Sequence, residues 1–180
     1  LTVEMPPGVG SASGFDLSRD GKAIVFVWQR ADGKRQLYVR FLGDIAPRPV
    51  PGTADAIDPR FSPDGGWIGF VANRQLKKVS VDGATLVVLS DVGKTDGMSW
   101  GANGVLVVAE GGRLVLGSEN GGTLRPLPGS AAPSGRGVRY PLMMRDGENV
   151  LYTDWSGSDV GSKIKARSIR TGTITDLGLP

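Results

Sequence analysis

The chain has 180 residues, 39% of them hydrophobic and 22% charged, with a formal net charge of +3. Those proportions belong to a globular chain long enough to bury a core, and they exclude a disordered or collagen-like one. The basic residues are scattered rather than massed in a stripe, which argues against a nucleic-acid face, and no apolar run approaches the ~20 residues of a membrane-spanning helix.

Residues 1–8 contain a short candidate strand, positioned to act as a closing strand against the outer edge of the last repeat near residues 173–177. The first full repeat spans residues 15–53. Phe15-Asp-Leu-Ser-Arg-Asp-Gly21 opens it, followed by the apolar strand Ala23-Ile-Val-Phe-Val-Trp28, the alternating strand Gln36-Leu-Tyr-Val-Arg40 and the Pro-containing Arg48-Pro-Val-Pro51. The second, residues 58–92, has Phe61-Ser-Pro-Asp-Gly65, then Trp67-Ile-Gly-Phe-Val71, Gln75-Leu-Lys-Lys-Val-Ser-Val81 and Ala84-Thr-Leu-Val-Val-Leu89. The third, residues 97–129, runs Met98-Ser-Trp-Gly-Ala-Asn-Gly104, Val105-Leu-Val-Val-Ala109, Arg113-Leu-Val-Leu116 and Thr123-Leu-Arg-Pro-Leu127. The fourth, residues 138–180, runs Leu142-Met-Met-Arg-Asp-Gly147, Asn149-Val-Leu-Tyr152, Lys163-Ile-Lys-Ala-Arg-Ser-Ile169 and Thr173-Ile-Thr-Asp-Leu177.

The turn residues Asp20, Asp64, Asn103 and Asp146 are spaced by 44, 39 and 43 residues. A period of about 40–45 residues with four short strands is that of a β-propeller blade. Asp-Gly and Asn-Gly between the first two strands predict type I′ hairpins. Proline in the fourth strand fits an outer edge. The chain is therefore expected to be all-β, one propeller domain of four blades with four antiparallel strands each. Four blades stand at the lower limit of propeller closure, so the chain is expected to close alone, to form an arc, or to complete a ring as a homodimer.

Phe61-Ser-Pro-Asp-Gly-Gly-Trp-Ile-Gly-Phe-Val71 resembles the repeat of TolB-like, WD-repeat-like propellers. Leu1-Thr-Val-Glu-Met-Pro-Pro-Gly8, Gln36-Leu-Tyr-Val-Arg40, Val50-Pro-Gly-Thr53, Leu76-Lys-Lys-Val-Ser-Val-Asp-Gly83 and Gly97-Met-Ser-Trp-Gly101 are similar to the propeller of bacterial receptor-like serine/threonine kinases. The resemblance implies an extracytoplasmic bacterial sensor or protein-binding region, with any kinase domain lying elsewhere. The chain itself has no histidine, so the His-Arg-Asp catalytic loop is missing, as is Asp-Phe-Gly.

Without histidine or cysteine, the familiar nucleophile–base pairs and transition-metal sites are gone. No catalytic residue and no cofactor is expected. Asp154-Trp-Ser-Gly-Ser-Asp159 has oxygen donors that could hold Ca²⁺ but lacks the acidic spacing of an EF-hand, and it is read first as a polar loop capping a hairpin. Asp55 and Asp58 are paired carboxylates, read first as acceptors for backbone N–H groups between blades. Trp28, Trp67, Trp100 and Trp155 are read as packing residues.

In an antiparallel blade, the second-to-third turns and the inter-blade connections share one end. That end collects the irregular segments 52–59, 90–97, 128–139 and 155–162, and binding residues concentrate in such loops. Asp55, Asp58, Lys94, Asp96, Arg136, Arg139, Trp155 and Asp159 are the candidate ligand-binding residues, for a protein, peptide or glycan. The expected function is a non-catalytic binding scaffold. The alternatives are a small metal-dependent propeller hydrolase using Asp58 and Asp159, and an oligomerising fragment with no site of its own.

Overall fold

The computed structural model describes residues 10–130, 137–158 and 161–179, and every regular element among them is a β-strand. The candidate closing strand in residues 1–8 lies outside the described residues. Four four-stranded antiparallel sheets follow one another along the chain, each in simple sequential order. The first comprises β1 (Gly10–Leu17), β2 (Ala23–Arg30), β3 (Arg35–Phe41) and β4 (Arg48–Pro49). The second comprises β5 (Ile57–Phe61), β6 (Trp67–Ala72), β7 (Gln75–Ser80) and β8 (Leu86–Asp91). The third has β9 (Thr95–Trp100), β10 (Val105–Glu110), β11 (Arg113–Ser118) and β12 (Arg125–Pro126), and the fourth β13 (Gly137–Met143), β14 (Asn149–Trp155), β15 (Lys163–Ser168) and β16 (Ile174–Leu179). These are the four expected blades. Two of their outer strands, β4 and β12, shrink to two residues each, because Pro49 and Pro126 cannot donate to a ladder.

The chain divides into two compact units, Leu1–Leu89 and Ser90–Pro180. In the first unit, the facing sides of the first two blades share one core: Val25, Val27, Leu37 and Val39 meet Phe61, Ile68, Phe70 and Val79. The carboxylate of Asp16 on β1 accepts the Phe61 N–H of β5 at 2.8 Å. In the second unit, Val107, Ala109, Leu114 and Leu127 meet Met143, Val150 and Tyr152. Here the Ser99 hydroxyl on β9 accepts the Met143 N–H of β13 at 2.8 Å. Each bond satisfies a strand-edge donor that the inter-blade packing removes from water.

The register makes the two units copies of one another. In the second blade Ile57 pairs with Val71, Arg60 with Gly69 and Phe61 with Ile68, across a bulge that holds Asp58 and Pro59. In the fourth, Arg139 pairs with Thr153, Leu142 with Leu151 and Met143 with Val150, each 82 positions on, across a bulge that holds Tyr140 and Pro141. Gly14 and Asp16 on β1 match Gly97 and Ser99 on β9, 83 positions on. Proline on these inner strands is tolerated because they are sheet edges and it sits at a bulge.

The first-to-second turns are not the expected type I′. In the first three, only the glycine of the dipeptide has a positive φ, +73° at Gly21, +75° at Gly65 and +73° at Gly104. The residue before it instead uses its side chain. Asp20 Oδ1 accepts from the Ser18 hydroxyl at 2.7 Å and the Lys22 N–H at 3.0 Å, while the Ser18 hydroxyl accepts the Ala23 N–H at 2.8 Å. Ser62 and Asp64 repeat this arrangement, as do Ser80 and Asp82 at the β7–β8 turn. A Ser-x-Asp-Gly sequence thus knots the turn through its side chains, which leaves the aspartate free to keep a negative φ. True type I′ turns stand at the opposite end, at Asn73–Arg74 and Gly111–Gly112, where both residues have positive φ.

These bonds fix a pH response. Hydroxyl and N–H donors hold Asp20, Asp64 and Asp82 below the usual aspartate range, and the Asn149 amide does so for Asp146. Depressed carboxylates contribute stability above the unfolded pKa of about 3.9, and that contribution is lost as pH falls through their lower folded values. Asp16 has the opposite sign: burial raises it, so its protonation favours the fold at low pH and that contribution is lost as pH rises. The depressed carboxylates predict a melting temperature that falls as the pH drops below about 4, and Asp16 opposes that fall. Melting curves taken above and below that pH check the sign.

Candidate functional site

Of the eight candidate residues, the structure brings three together, all in the second unit. Asp96 lies on β9, Arg139 on β13 and Trp155 at the end of β14. Trp155 pairs with Gly137 and Arg139 with Thr153, so Trp155 and Arg139 are diagonal neighbours on one face of the sheet. The Arg139 guanidinium stands 4.1 Å over the Trp155 ring. Its Nε lies 4.0 Å from Asp96 Oδ1. The two charged side chains keep 31% and 29% of their surface exposed. The result is a half-open aromatic–cation–carboxylate row running across β9, β13 and the end of β14.

What holds this row in place is backbone geometry. Gly97, next to Asp96, has φ of +116°, and a Cβ there would stand 3.2 Å from the Tyr140 Cα. The two inner strands can approach so closely only because this residue is glycine. Beside the row, Lys165 Nζ donates to Asp154 Oδ2 at 2.6 Å, and this carboxylate partner raises the lysine's pKa. Asp154 is therefore committed to an ammonium. Among the described residues no group of three or more potential metal ligands converges.

The other candidates are placed apart from the row. Lys94 is exposed, its carbonyl accepting the Gly111 N–H at 3.1 Å. Asp55 and Asp58 belong to the first unit, both in left-handed backbone with φ of 59° and 51°. Arg136 and Asp159 lie outside the described residues. Trp28 and Trp100 are buried as read from the sequence, whereas Trp67 lies under the Lys78 ammonium at 4.6 Å and Trp155 under Arg139.

The segment from Ser156 to Ser162 is the long second-to-third connection of the fourth blade. It is knit by its own hydroxyls: Ser162 Oγ donates to the Ser158 carbonyl at 2.7 Å and accepts the Ser156 N–H at 3.2 Å. Two residues escaped the sequence reading. Asp16 supplies a bond of the kind assigned to Asp55 and Asp58, capping an N–H of the next blade. Its signal is the place two residues after a bulge glycine, shared with Ser99. Tyr140 is the other; it sits beside Arg139 with φ of 52° and 66% of its surface exposed.

The duplicated register shows which of these features the two units share. The first-unit positions matching Asp96 and Arg139 in register are Ser13 and Ile57, and the position 82 residues before Trp155 is Asn73, the first residue of the β6–β7 turn. Two blades pack there with no charge and no aromatic ring at those positions. The row is therefore particular to the second unit.

Known structures agree on that scaffold. A putative TolB from Agrobacterium tumefaciens superposes with a TM-score of 0.79 at 16% identity, covering 97% of this chain and 68% of that one. TolB from Acinetobacter baumannii gives 0.74 at 16% identity, over 94% of this chain and 44% of that one. The fold is that of TolB-like β-propellers. A nidogen/laminin complex chain matches at 0.71 and 18% identity, covering 92% of this chain and 62% of that one. A Mycobacterium tuberculosis puromycin-hydrolyzing peptidase matches at 0.72 and 16% identity, over 98% of this chain but only 30% of that one. No family model matches the sequence, and no curated protein does so either.

Proposed function

We propose that the chain is a non-catalytic binding scaffold, which recognises a protein or peptide at the loop-rich end of its second unit. The observation that carries this reading is the Asp96–Arg139–Trp155 row, present where the equivalent blades of the first unit hold Ser13, Ile57 and Asn73. Arginine and tryptophan are the residues that dominate the energetics of protein interfaces, most strongly when partly desolvated and rigidly held. Both conditions hold here: the guanidinium is stacked, and Gly97 fixes the strands beneath it. A glycan would use the same ring, but Arg139 already covers one face of Trp155, which favours a partner that meets the guanidinium edge. The kinase-like resemblance and the TolB-like fold both suit an extracytoplasmic sensor or scaffold, and that is the setting we assign. Peptidases share the fold too, but this chain matches only 30% of the length of the Mycobacterium tuberculosis one, and its sequence has no histidine or cysteine to serve as base or thiol nucleophile.

The test replaces the row by its own counterparts, Asp96→Ser, Arg139→Ile and Trp155→Asn together. Peptides selected from a random display library on the native protein are expected to bind this variant at least about 30-fold more weakly, the equivalent of one strong hot spot. Undiminished binding of every selected peptide would move the site elsewhere.

A further inference from the structure

The bulge on the inner strand of the second and fourth blades demands a left-handed residue directly before a proline. The second blade meets the demand with Asp58, at φ of 51°, and the fourth with Tyr140, at φ of 52°. These are poor equivalents. Aspartate visits the left-handed region with help from its short polar side chain, whereas a bulky residue there is a genuine outlier. A following proline further narrows the backbone choices of either residue. The surroundings enforce the conformation: β13 is tied to β9 by the Ser99–Met143 bond, Pro141 is buried, and the Gly97 backbone lies against the Tyr140 backbone. The residue stands mostly at the surface, with 66% of it exposed. A large aromatic side chain is thus kept, in a strained backbone, on the surface beside Arg139.

Strain of this kind concentrates at ligand contacts, where the rest of the fold over-determines it. We infer that Tyr140 is a specificity-determining anchor of the same site, and that with Arg139 and Trp155 it grips a peptide segment carrying an acidic side chain. This rests on the binding reading above and names its partner's chemistry. Tyrosine, tryptophan and arginine with neighbouring serine and glycine at 156–158 form the composition by which rigid paratopes bind peptides. The charge argues for the acidic partner. Asp96 balances Arg139, Asp154 balances Lys165, and Lys94 stands next to Gly93, whose N–H the Glu110 carboxylate accepts, so the open edge of Arg139 is the feature that calls for an acid. An incoming carboxylate meets an arginine edge that Asp96 holds only at 4.0 Å.

The experiment uses the whole chain, the variants Tyr140→Asn and Tyr140→Phe, and peptides selected on the native protein from a random display library. Tyr140→Asn is expected to raise the melting temperature by about 2–4 °C, the equivalent of relieving one left-handed bulky residue in a chain of this size. It is also expected to weaken the selected peptides by at least about tenfold. Tyr140→Phe keeps the ring and the strain, and should leave both quantities near native. The selected peptides should be enriched in aspartate and glutamate. Peptides that depend on Arg139 and Trp155 but bind Tyr140→Asn as well as native protein would overturn the anchor while leaving the binding site intact. An unchanged or lowered melting temperature for that variant would overturn the strain argument, and selected peptides without acidic residues would overturn the partner's chemistry. Peptides indifferent to all three residues would remove the site itself.

Discussion

Phe70→Ala is expected to destabilise the chain by about 3–5 kcal/mol, read as a lowered midpoint in urea denaturation. Phe70 is fully buried on β6, in the cluster that joins the second and third strands of the first blade to the second blade. Removing its ring deletes a large apolar side chain and leaves a cavity lined by residues of both sheets. The walls are strands fixed by their own ladders, so they cannot collapse to refill the space, which places the loss toward the upper end of the range. Because the cluster is shared, the two blades of this unit should unfold together rather than in turn. A protease-resistant fragment corresponding to the second blade alone would contradict that.

Gly97→Ala is expected to cost about 2–4 kcal/mol and to abolish recognition with it. Two penalties act. At φ of +116° an L-residue is strained, by about 1–3 kcal/mol, and the new methyl would press on the Tyr140 Cα and N and the Pro141 Cδ at 3.2–3.3 Å. The atoms it meets are backbone and a buried proline ring, which have little freedom to yield. Relief can come only from parting β9 and β13, which separates Asp96 from Arg139. Gly65→Ala is the internal control: φ is +75° there and nothing lies within 4 Å of the added methyl. Only the left-handed penalty of about 1–2 kcal/mol remains, and binding should be unaffected. The difference between the two variants, measured by thermal melting, isolates the contribution of the close strand approach.

The blades were open to reading because each second strand is short, apolar and preceded by Asp-Gly or Asn-Gly at a regular spacing. The same dipeptides misled on turn type, since Ser18 and Ser62 supply hydroxyls that satisfy the aspartate without a positive φ. Asp96, Arg139 and Trp155 were found through strand parity, which sorts loops by end without any knowledge of contacts. Parity also swept in Asp55 and Lys94, because it ranks ends and not neighbours. Tyr140 escaped for a physical reason: a left-handed φ before proline arises from the packing of β9 against β13, and nothing local to Tyr140 encodes it. Its one sequence trace is the matching position of Asp58-Pro59 and Tyr140-Pro141 in their repeats. The two-blade duplication is equally silent in composition, since the pairs Ser13/Asp96, Ile57/Arg139 and Asn73/Trp155 share no chemistry.

That lack of shared chemistry is the basis of the central claim, that the charged aromatic row serves recognition and not the fold. Thermal unfolding of the triple variant Asp96→Ser, Arg139→Ile, Trp155→Asn tests it most directly. Surface changes away from core, caps and strain shift stability by about 0.5 kcal/mol or less each, so the melting temperature should stay within about 3–6 °C of native while peptide binding is lost. A collapse of the melting temperature by more than about 10 °C would show that the row holds the second unit together, and the binding site would have to be sought elsewhere.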